Sequence, residues 1–450
     1  MSRADVLNPA LSLFVHAQVG RSRHALVIGD AIYTYEALAT EAGRVATWLR
    51  TRPFRRAASS GERIPRVGIL AARSLESYAG ILGTLWAGAT YVPLNLAQHP
   101  ADLLSIVTRC DLDAVIVDHR GSERLDELAP ALPLHLLAGD GVTIDLPSTR
   151  VTWWRALAEQ NDADPPAPLG PDHPAYIFFS TEPPPAAGTL KGVVISAASL
   201  AHFLLAMRAL YQFGPKDRFA QLADISTDAS IYEIFACWDG GGCLHVAPES
   251  ALAAPAPFLR QRNITVSVAD PSIIPALARL GQIKRGTFPW LRVSIFLSDG
   301  LPIEDARAWE VAAPHSAVDS HFGPTEATSA CLWTRLTNPP VETPGRGTLP
   351  IGEPFPAMSA EIINEGGAFL PAGQSGELAL SGPQLALGYL GDEALTSQRF
   401  PTLFHPRLGY SRWFRTGHPA SRDQQGIFHS PGHIDTQIKV LGHRVAVEEA

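Results

Sequence analysis

Short apolar runs alternate along the chain with segments that have the spacing of amphipathic helices. Arg66–Leu70, Ala114–Val117 and Leu291–Leu297 have the length and composition of buried strands. Leu75–Trp86 follows the first of them with helical periodicity, and Leu200–Leu210 has the same pattern. Strands that alternate with helices of this size predict an α/β fold with largely parallel sheets.

The pattern changes after residue 340. From there to Phe428, glycine and proline interrupt short strand-like pieces such as Ser359–Ile363 and Gly376–Leu380. These pieces predict a small β-rich subdomain that is attached to the α/β core. We therefore expect α/β core subdomains over residues 1–340 and the β-rich subdomain over residues 341–434.

Composition narrows the possible classes of protein. Hydrophobic residues make up 46% of the chain and charged residues 18%, which is typical of a globular protein. The net charge of −8 argues against nucleic acid as the main partner, because phosphate binding requires a basic surface. No apolar stretch approaches the roughly 18 residues of a membrane span, and no charged leader precedes residue 20, so we expect a cytoplasmic protein. Wide spacing without a Cys-x-x-Cys pair predicts buried free thiols at Cys110, Cys237, Cys243 and Cys331.

Eight short segments occur in the order of the signature blocks of adenylate-forming enzymes. Each block alone is weak evidence, and the resemblance rests on the order in which the blocks occur. They are Thr34–Leu38, Trp86–Leu94, Asp228–Glu233, Phe322–Glu326, Gly376–Leu378, Leu385–Tyr389, Phe414–Gly417 and Gly432–Lys439. From about residue 10 to its last residue, the chain resembles the N-terminal core of a non-ribosomal peptide synthetase adenylation domain.

This resemblance implies two layered α/β subdomains and a small β-rich, barrel-like subdomain. It also implies a hinge and the start of a mobile C-terminal subdomain over residues 435–450. In the family that subdomain carries a lysine that contacts the substrate carboxylate and the α-phosphate. Because the sequence ends at Ala450, we expect the chain to lack this subdomain and to be a fragment of a larger multidomain synthetase.

The resemblance implies ATP- and Mg²⁺-dependent activation of an amino acid as aminoacyl-AMP, for loading on a carrier protein domain. Thr325 and Glu326 match the catalytic block, and Glu326 would help to hold Mg²⁺. The positions that correspond to ATP-binding residues of the family are Thr189, Lys191, Gly323, Asp435, His418 and His433.

The substrate pocket is carried over from the family in the same way. Its positions are Asp228, Ala229, Tyr232, Val268, Ile295, Leu297, His321, Ser329 and Ala330. Asp228 would pair with the α-ammonium group of an amino acid; alternatively, it only caps the helix that begins at Ala229. Leu297 replaces a smaller residue of the family and is expected to fill part of the pocket. His321 is either a specificity group or a buried histidine that its neighbours satisfy.

The nucleotide side departs from the family pattern. Three prolines, Pro183–Pro185, remove N–H donors from the expected phosphate loop at Ser180–Lys191, and Glu182 adds a negative charge. His418 stands where a ribose-binding aspartate is expected, and His433 replaces an arginine. A relocated loop that works through Thr189 and Lys191 is the alternative. The Gly-Gly-Glu turn of the family is Leu297-Ser298-Asp299 here.

Three functional hypotheses follow from these residues. The first is a catalytically inactive or strongly impaired adenylation domain that is retained as an architectural part of its module. The second is an active amino-acid adenylating enzyme with an unusual phosphate loop. The third, a divergent acyl or aryl acid ligase, is disfavoured by Asp228. Expected partners are the carrier domain, neighbouring condensation or tailoring domains and a small accessory protein.

Overall fold

A computed structural model describes residues 7–54, 63–160, 164–181, 190–431, 437–440 and 443–446. The described strands are β1 (His24–Ile28), β2 (Ala31–Thr34), β3 (Arg66–Leu70), β4 (Thr90–Pro93), β5 (Ala114–Val117), β6 (His135–Ala138), β7 (Arg150–Trp153), β8 (Pro174–Thr181), β9 (Leu190–Ser196), β10 (Arg218–Gln221), β11 (Cys243–Val246), β12 (Val266–Ala269), β13 (Val293–Leu297), β14 (Ala317–Phe322), β15 (Leu332–Arg335), β16 (Glu353–Pro354), β17 (Ser359–Ile363), β18 (Ser375–Ser381), β19 (Gly388–Tyr389), β20 (Thr402–His405), β21 (Gly409–Arg412), β22 (Phe414–Arg422), β23 (Phe428–His429), β24 (Gln437–Val440) and β25 (His443–Ala446).

The described α-helices are α1 (Leu11–Val19), α2 (Tyr35–Arg50), α3 (Leu75–Ala87), α4 (Pro100–Cys110), α5 (His119–Ser122), α6 (Leu125–Leu128), α7 (Ala197–Tyr211), α8 (Ala229–Ile231), α9 (Cys237–Gly240), α10 (Glu249–Leu252), α11 (Ala256–Gln261), α12 (Ile273–Arg279), α13 (Ile303–Ala312) and α14 (Glu393–Arg399). A π-helical turn at Tyr232–Ala236 joins α8 to α9 in one helical run. Such π-turns are often found at functional sites.

The first large sheet has the strand order β16-β15-β14-β13-β12-β10-β11-β1-β2. Its six inner strands, from β14 to β1, are all parallel, and the outer strands are antiparallel. The carboxyl ends of the parallel strands therefore share one edge, which is where ligands bind in open α/β sheets.

The second large sheet has the order β19-β9-β8-β4-β3-β5-β6-β7. The strands from β8 to β7 are parallel, while β9 pairs antiparallel with both β8 and β19. The β8–β9 hairpin encloses residues 182–189, which contain most of the expected phosphate loop. These residues lie outside the described part of the chain.

Helix α3 shows how the sequence specifies one central element. Ser74 Oγ accepts a hydrogen bond from Ser77 N at 3.3 Å, and Ser77 Oγ accepts one from Ser74 N at 3.2 Å, which closes a capping box. Gly88 ends the helix with a φ of +82°. All residues from Ser77 to Trp86 are buried, as expected for a helix that is apolar on every side.

Four of the remaining strands form a smaller antiparallel sheet in the order β17-β18-β22-β23, and the other four form two antiparallel hairpins, β20–β21 and β24–β25. The predicted α/β fold with a β-rich part is confirmed. The boundary at residue 340 stays a prediction, and two short strands beyond it, β16 and β19, pair with the large sheets. All four cysteines are buried and free, as predicted. Within the described ranges, no helix is long and apolar enough to cross a membrane.

Candidate functional site

Several predicted site residues lie at the shared edge of the first sheet. β13 ends at Leu297 and β14 at Phe322, and the chain continues from these ends into Ser298–Gly300 and Gly323–Glu326. The loop that follows β10 leads to Asp228. The fold therefore brings together segments that are far apart in the sequence.

Asp228 contacts the catalytic block directly. Its Oδ2 accepts a hydrogen bond from Thr325 Oγ1 at 2.7 Å, and its backbone oxygen accepts one from Ser329 Oγ at 2.9 Å. The Asp228 side chain makes no capping hydrogen bond to the helix that it precedes. The capping alternative is therefore wrong, and the carboxylate is oriented across the site.

The loop before Asp228 is held by two ionisable side chains that the sequence did not single out as site residues. Glu233 is fully buried, and its Oε1 accepts from Leu222 N at 2.9 Å and from Ala223 N at 3.2 Å. Arg73 donates to the backbone oxygens of Leu222 and Ala223. Burial raises the pKa of Glu233 to about 8.

The turn after Glu326 is strained and is held by Gln384. Thr328 and Ser329 have φ angles of +57° and +73°, which cost about 1–3 kcal/mol each for residues other than glycine. Gln384 is fully buried, and its Nε2 donates to Ala327 O at 3.1 Å and to Ala330 O at 2.7 Å. Gln384 thus fixes the turn that presents Ser329, a role that no motif indicated.

The predicted pocket residues fall into a half-buried group and a buried group. Asp228, Ala229 and Leu297 are half-buried, and the other positions are buried: Tyr232, Val268, Ile295, His321, Ser329 and Ala330. Val268 pairs with Ile295 across β12 and β13, and Leu297 pairs with His321 across β13 and β14. Leu297 packs against the largest hydrophobic core; how much of the pocket it fills stays a prediction.

His321 is buried, and both of its ring nitrogens have partners. Nδ1 lies 2.8 Å from Tyr232 Oη, and Nε2 lies 2.6 Å from Tyr211 Oη. Tyr211 Oη also donates to Asp319 Oδ2 at 2.6 Å. Burial, together with the nearby Arg335 charge, lowers the pKa of His321 to about 3. His321 is therefore neutral and satisfied by its neighbours, as one of the two alternatives predicted.

Two charged residues of the region where ATP phosphates are expected, Lys191 and Glu326, lie against the same tyrosine. Tyr389 Oη donates to Glu326 Oε1 at 2.7 Å, and Lys191 Nζ lies 5.3 Å from the centre of the Tyr389 ring. Burial lowers the pKa of Lys191, and the Glu326 charge opposes this shift. Of the residues expected here, Thr189 lies outside the described part of the chain.

These groups fit Mg²⁺ only in part. Among the residues with described positions, no cluster of three or more His, Cys, Asp or Glu side chains could hold a metal ion. An ion bound by the Glu326 carboxylate would therefore need phosphate oxygens and water as further ligands.

The expected ribose position is occupied by a histidine that bonds within the protein. His418 is buried, its Nε2 lies 2.9 Å from Ser430 Oγ, and its ring centre lies 4.9 Å from that of Phe322. Gly323, which follows Phe322 in the chain, must be glycine because a Cβ at this position would lie 2.5 Å from Ala330 Cα. His433 and Asp435 lie outside the described residues. That this side no longer binds the ribose stays a prediction.

Comparison with known proteins identifies the class. A family model described as AMP-binding enzyme matches residues 13–390, so the chain belongs to this family. Within it, the chain is an adenylation domain of the nonribosomal peptide synthetase type, as predicted. Dimodular nonribosomal peptide synthase of Bacillus subtilis (strain 168) is 29% identical over 95% of this chain and 17% of its own length. Malpinin synthetase of Mortierella alpina is 30% identical over 85% of this chain and 5% of its own length.

A solved structure supports the same assignment. The adenylation domain AlmE of Vibrio cholerae, in complex with glycyl-adenosine-5'-phosphate, matches with a TM-score of 0.83 at 27% identity. The match covers 98% of this chain and 82% of AlmE. By contrast, the chain spans only a small part of the two synthetases.

Proposed function

We propose that this domain keeps the amino-acid pocket of an adenylation domain but is strongly impaired in, or incapable of, ATP-dependent activation. In this proposal it serves as an architectural part of a synthetase module, next to a carrier domain and condensation or tailoring domains. A small accessory protein is a further expected partner. The amino-acid substrate class is inferred from Asp228 and from AlmE, which was solved with glycyl-adenosine-5'-phosphate.

The environment of His418 is the main observation that supports the proposed impairment. Two ribose hydroxyls are bound well by one carboxylate, whereas a neutral imidazole offers a single acceptor nitrogen. Here the ring is buried, bonded to Ser430 and packed against Phe322. The sequence of the phosphate loop adds to this, because Pro183–Pro185 lack N–H donors and Glu182 repels phosphate.

An active enzyme with an unusual loop is the second candidate, and one observation favours it. Lys191 and Glu326 both lie against Tyr389, so a cation and a carboxylate remain close to each other on the phosphate side. A domain that had lost every demand for phosphate binding would have no need for a buried lysine there.

Amino-acid-dependent pyrophosphate exchange on the full-length protein distinguishes the two candidates. The impairment predicts exchange at background with all standard amino acids. Lys191→Ala is the matched control, because it leaves a background rate unchanged but lowers the rate of a working enzyme. Exchange that rises above background with one amino acid, and falls in Lys191→Ala, would contradict the impairment.

A further inference from the structure

Three buried nitrogen atoms lack partners in the region between the end of α2 and the outer strands of the second sheet. Trp48 is fully buried, and among the described residues its indole Nε1–H has no hydrogen-bond partner. Within the same described ranges, the buried atoms Arg52 Nε and His135 Nε2 also have none. Buried polar groups of folded proteins nearly always have partners, so three such nitrogens in one region require an explanation.

The contacts of Arg52 place these nitrogens around one site. The Arg52 guanidinium carbon lies 5.2 Å from the centre of the Trp48 ring, and Arg52 Nη2 donates across to Thr152 Oγ1 of β7 at 3.4 Å. His135 of β6 pairs with Arg150 of β7. Because alternate residues of a strand share a face, His135, Arg150 and Thr152 lie on the same face of the sheet. The end of α2 and this face of β6 and β7 therefore border one site.

The site is positively charged. Burial lowers the pKa of His135, and the nearby charges of Arg52 and Arg150 lower it further. Among the described residues, neither arginine has an ion-pair partner. Glu41, which lies on the same face of α2 as Trp48, already pairs with Arg44 at 3.2 Å. The site therefore combines two guanidinium groups with uncommitted N–H donors.

The carbonyl groups at the end of α2 are already bonded. The C-terminus of a helix normally disfavours an anion, because its last carbonyl oxygens point outwards without partners. Here Thr51 Oγ1 donates to Thr47 O at 3.1 Å and to Trp48 O at 3.0 Å, and Arg52 N donates to Leu49 O at 3.1 Å. These bonds weaken the repulsion that an anion would meet beside the helix.

The site has a closed end and an open end. Trp48 and His135 form the closed end and are 0% and 6% exposed. Arg150 is exposed and Arg52 is half-buried, so a ligand from solvent meets the two guanidinium groups first. The Arg52 side chain is long and makes its polar side-chain contact with Thr152 at the outer limit of a hydrogen bond. Its guanidinium can therefore turn and admit a ligand to Trp48 Nε1.

We propose that this site binds a phosphate group, which Arg52 and Arg150 contact from the open end and Trp48 and His135 contact from the closed end. A carboxylate offers two oxygens in one plane, whereas phosphate offers more oxygens around its centre and a second negative charge. Phosphate therefore matches two guanidinium groups and the indole N–H better than a carboxylate does.

This phosphate site is separate from the expected ATP site. The strands β6 and β7 lie at one end of the second sheet, whereas the β8–β9 hairpin, which encloses most of the expected phosphate loop, lies towards the other end. The inference therefore goes beyond the proposed function, and it holds whether or not the domain activates an amino acid.

Titration of the ¹⁵N-labelled 450-residue chain with inorganic phosphate tests the site. The chain has nine tryptophans, and their indole N–H signals are observed separately in a ¹H–¹⁵N spectrum. We expect the Trp48 signal, assigned by its loss in Trp48→Phe, to shift at low-millimolar phosphate. Acetate at equal ionic strength should bind at least about tenfold more weakly, because it has fewer oxygens and less charge.

Variants locate the binding. Arg52→Gln and Arg150→Gln should each weaken phosphate binding about tenfold, because each removes a charged donor. Arg150 is exposed, so its variant tests the site even if Arg52→Gln disturbs the fold. Arg346→Gln, at another exposed arginine, is the matched control and should leave the affinity unchanged. Lys191→Ala, in the expected ATP region, should also leave it unchanged.

Glycerol 3-phosphate separates two sources of the phosphate group. Binding as tight as that of inorganic phosphate supports a phosphomonoester as the ligand, and weaker binding supports the free ion. A Trp48 signal that phosphate does not move, acetate binding as tight as phosphate binding, or an unchanged affinity in Arg150→Gln would overturn the inference. Loss of binding in Lys191→Ala would do the same, because it would place the phosphate in the ATP region.

Discussion

The amino-acid side and the nucleotide side of this site differ in how their polar groups are satisfied. On the amino-acid side, Tyr232 and His321 find their partners inside the protein and are also part of its buried interior. On the nucleotide side, a ribose-binding carboxylate or a glycine-rich loop has full use only when a ligand is present. The fold itself therefore uses the polar groups of the first side, whereas groups of the second kind depend on a ligand for their full set of partners.

His418 illustrates how the fold also uses a residue on the second side. Its imidazole bonds Ser430 and packs against Phe322, so this buried ring has a polar and an aromatic neighbour within the protein. Glu326 is a similar case, since Tyr389 bonds its carboxylate within the protein. Retention of a family residue is thus weak support for activity when the fold also uses that residue.

The largest expected effect tests whether the amino-acid side is structural. Arg335→Leu leaves the fully buried Asp319 carboxylate without its guanidinium partner, and we expect a loss of about 3 kcal/mol in the free energy of unfolding. Urea unfolding measures it. Arg21→Leu is the matched control, because its pair with Glu36 is exposed and contributes only about 0.3 kcal/mol. Equal losses in both variants would show that the Asp319 pair has no special role.

A smaller effect concerns the pH dependence of stability. His321 has a pKa of about 3 in the folded chain, below the value of 6.5 for a free histidine, so the unfolded chain binds the proton first as pH falls. His321 thus contributes stability above pH 6.5 that is lost between pH 6.5 and 3, at about 1.4 kcal/mol per pH unit.

The comparison with His321→Asn isolates this contribution from other acid-sensitive groups, including His245, whose pKa burial also lowers to about 3. The free energy of unfolding of the variant, measured by urea titration from pH 7 to 4, should fall less steeply than that of the wild-type chain. Parallel slopes would mean that His321 is already protonated in the folded state.

The parts of the fold that the sequence predicts are those with continuous local signals. Arg66–Leu70, Ala114–Val117 and Ser359–Ile363 are strands with the predicted bounds, because each is a short, mostly apolar run. The helix predicted at Leu75–Trp86 is α3, which ends one residue later. The order of the signature blocks predicts that the α/β core precedes the β-rich subdomain along the chain.

The missed residues act through partners that are distant in sequence. Gln384 holds a turn that lies 54 to 57 positions earlier, and Tyr211 meets Asp319 across 108 positions. No periodicity or spacing relates such pairs, and a buried glutamine or tyrosine resembles ordinary core until its bonds are known. The Asp228 side chain is a related case: its position suits a helix cap, and only the fold reveals Thr325 as its partner.

Calorimetric titration of the 450-residue chain with MgATP, beside titrations with the standard amino acids, tests the central claim most directly. The account predicts measurable binding of at least one amino acid and no micromolar binding of MgATP. His418→Asp should raise the affinity for MgATP about tenfold, through hydrogen bonds from the ribose to a carboxylate, and leave amino-acid binding unchanged. Micromolar binding of MgATP to the wild-type chain would contradict the claim that the nucleotide side has been lost while the amino-acid side has been kept.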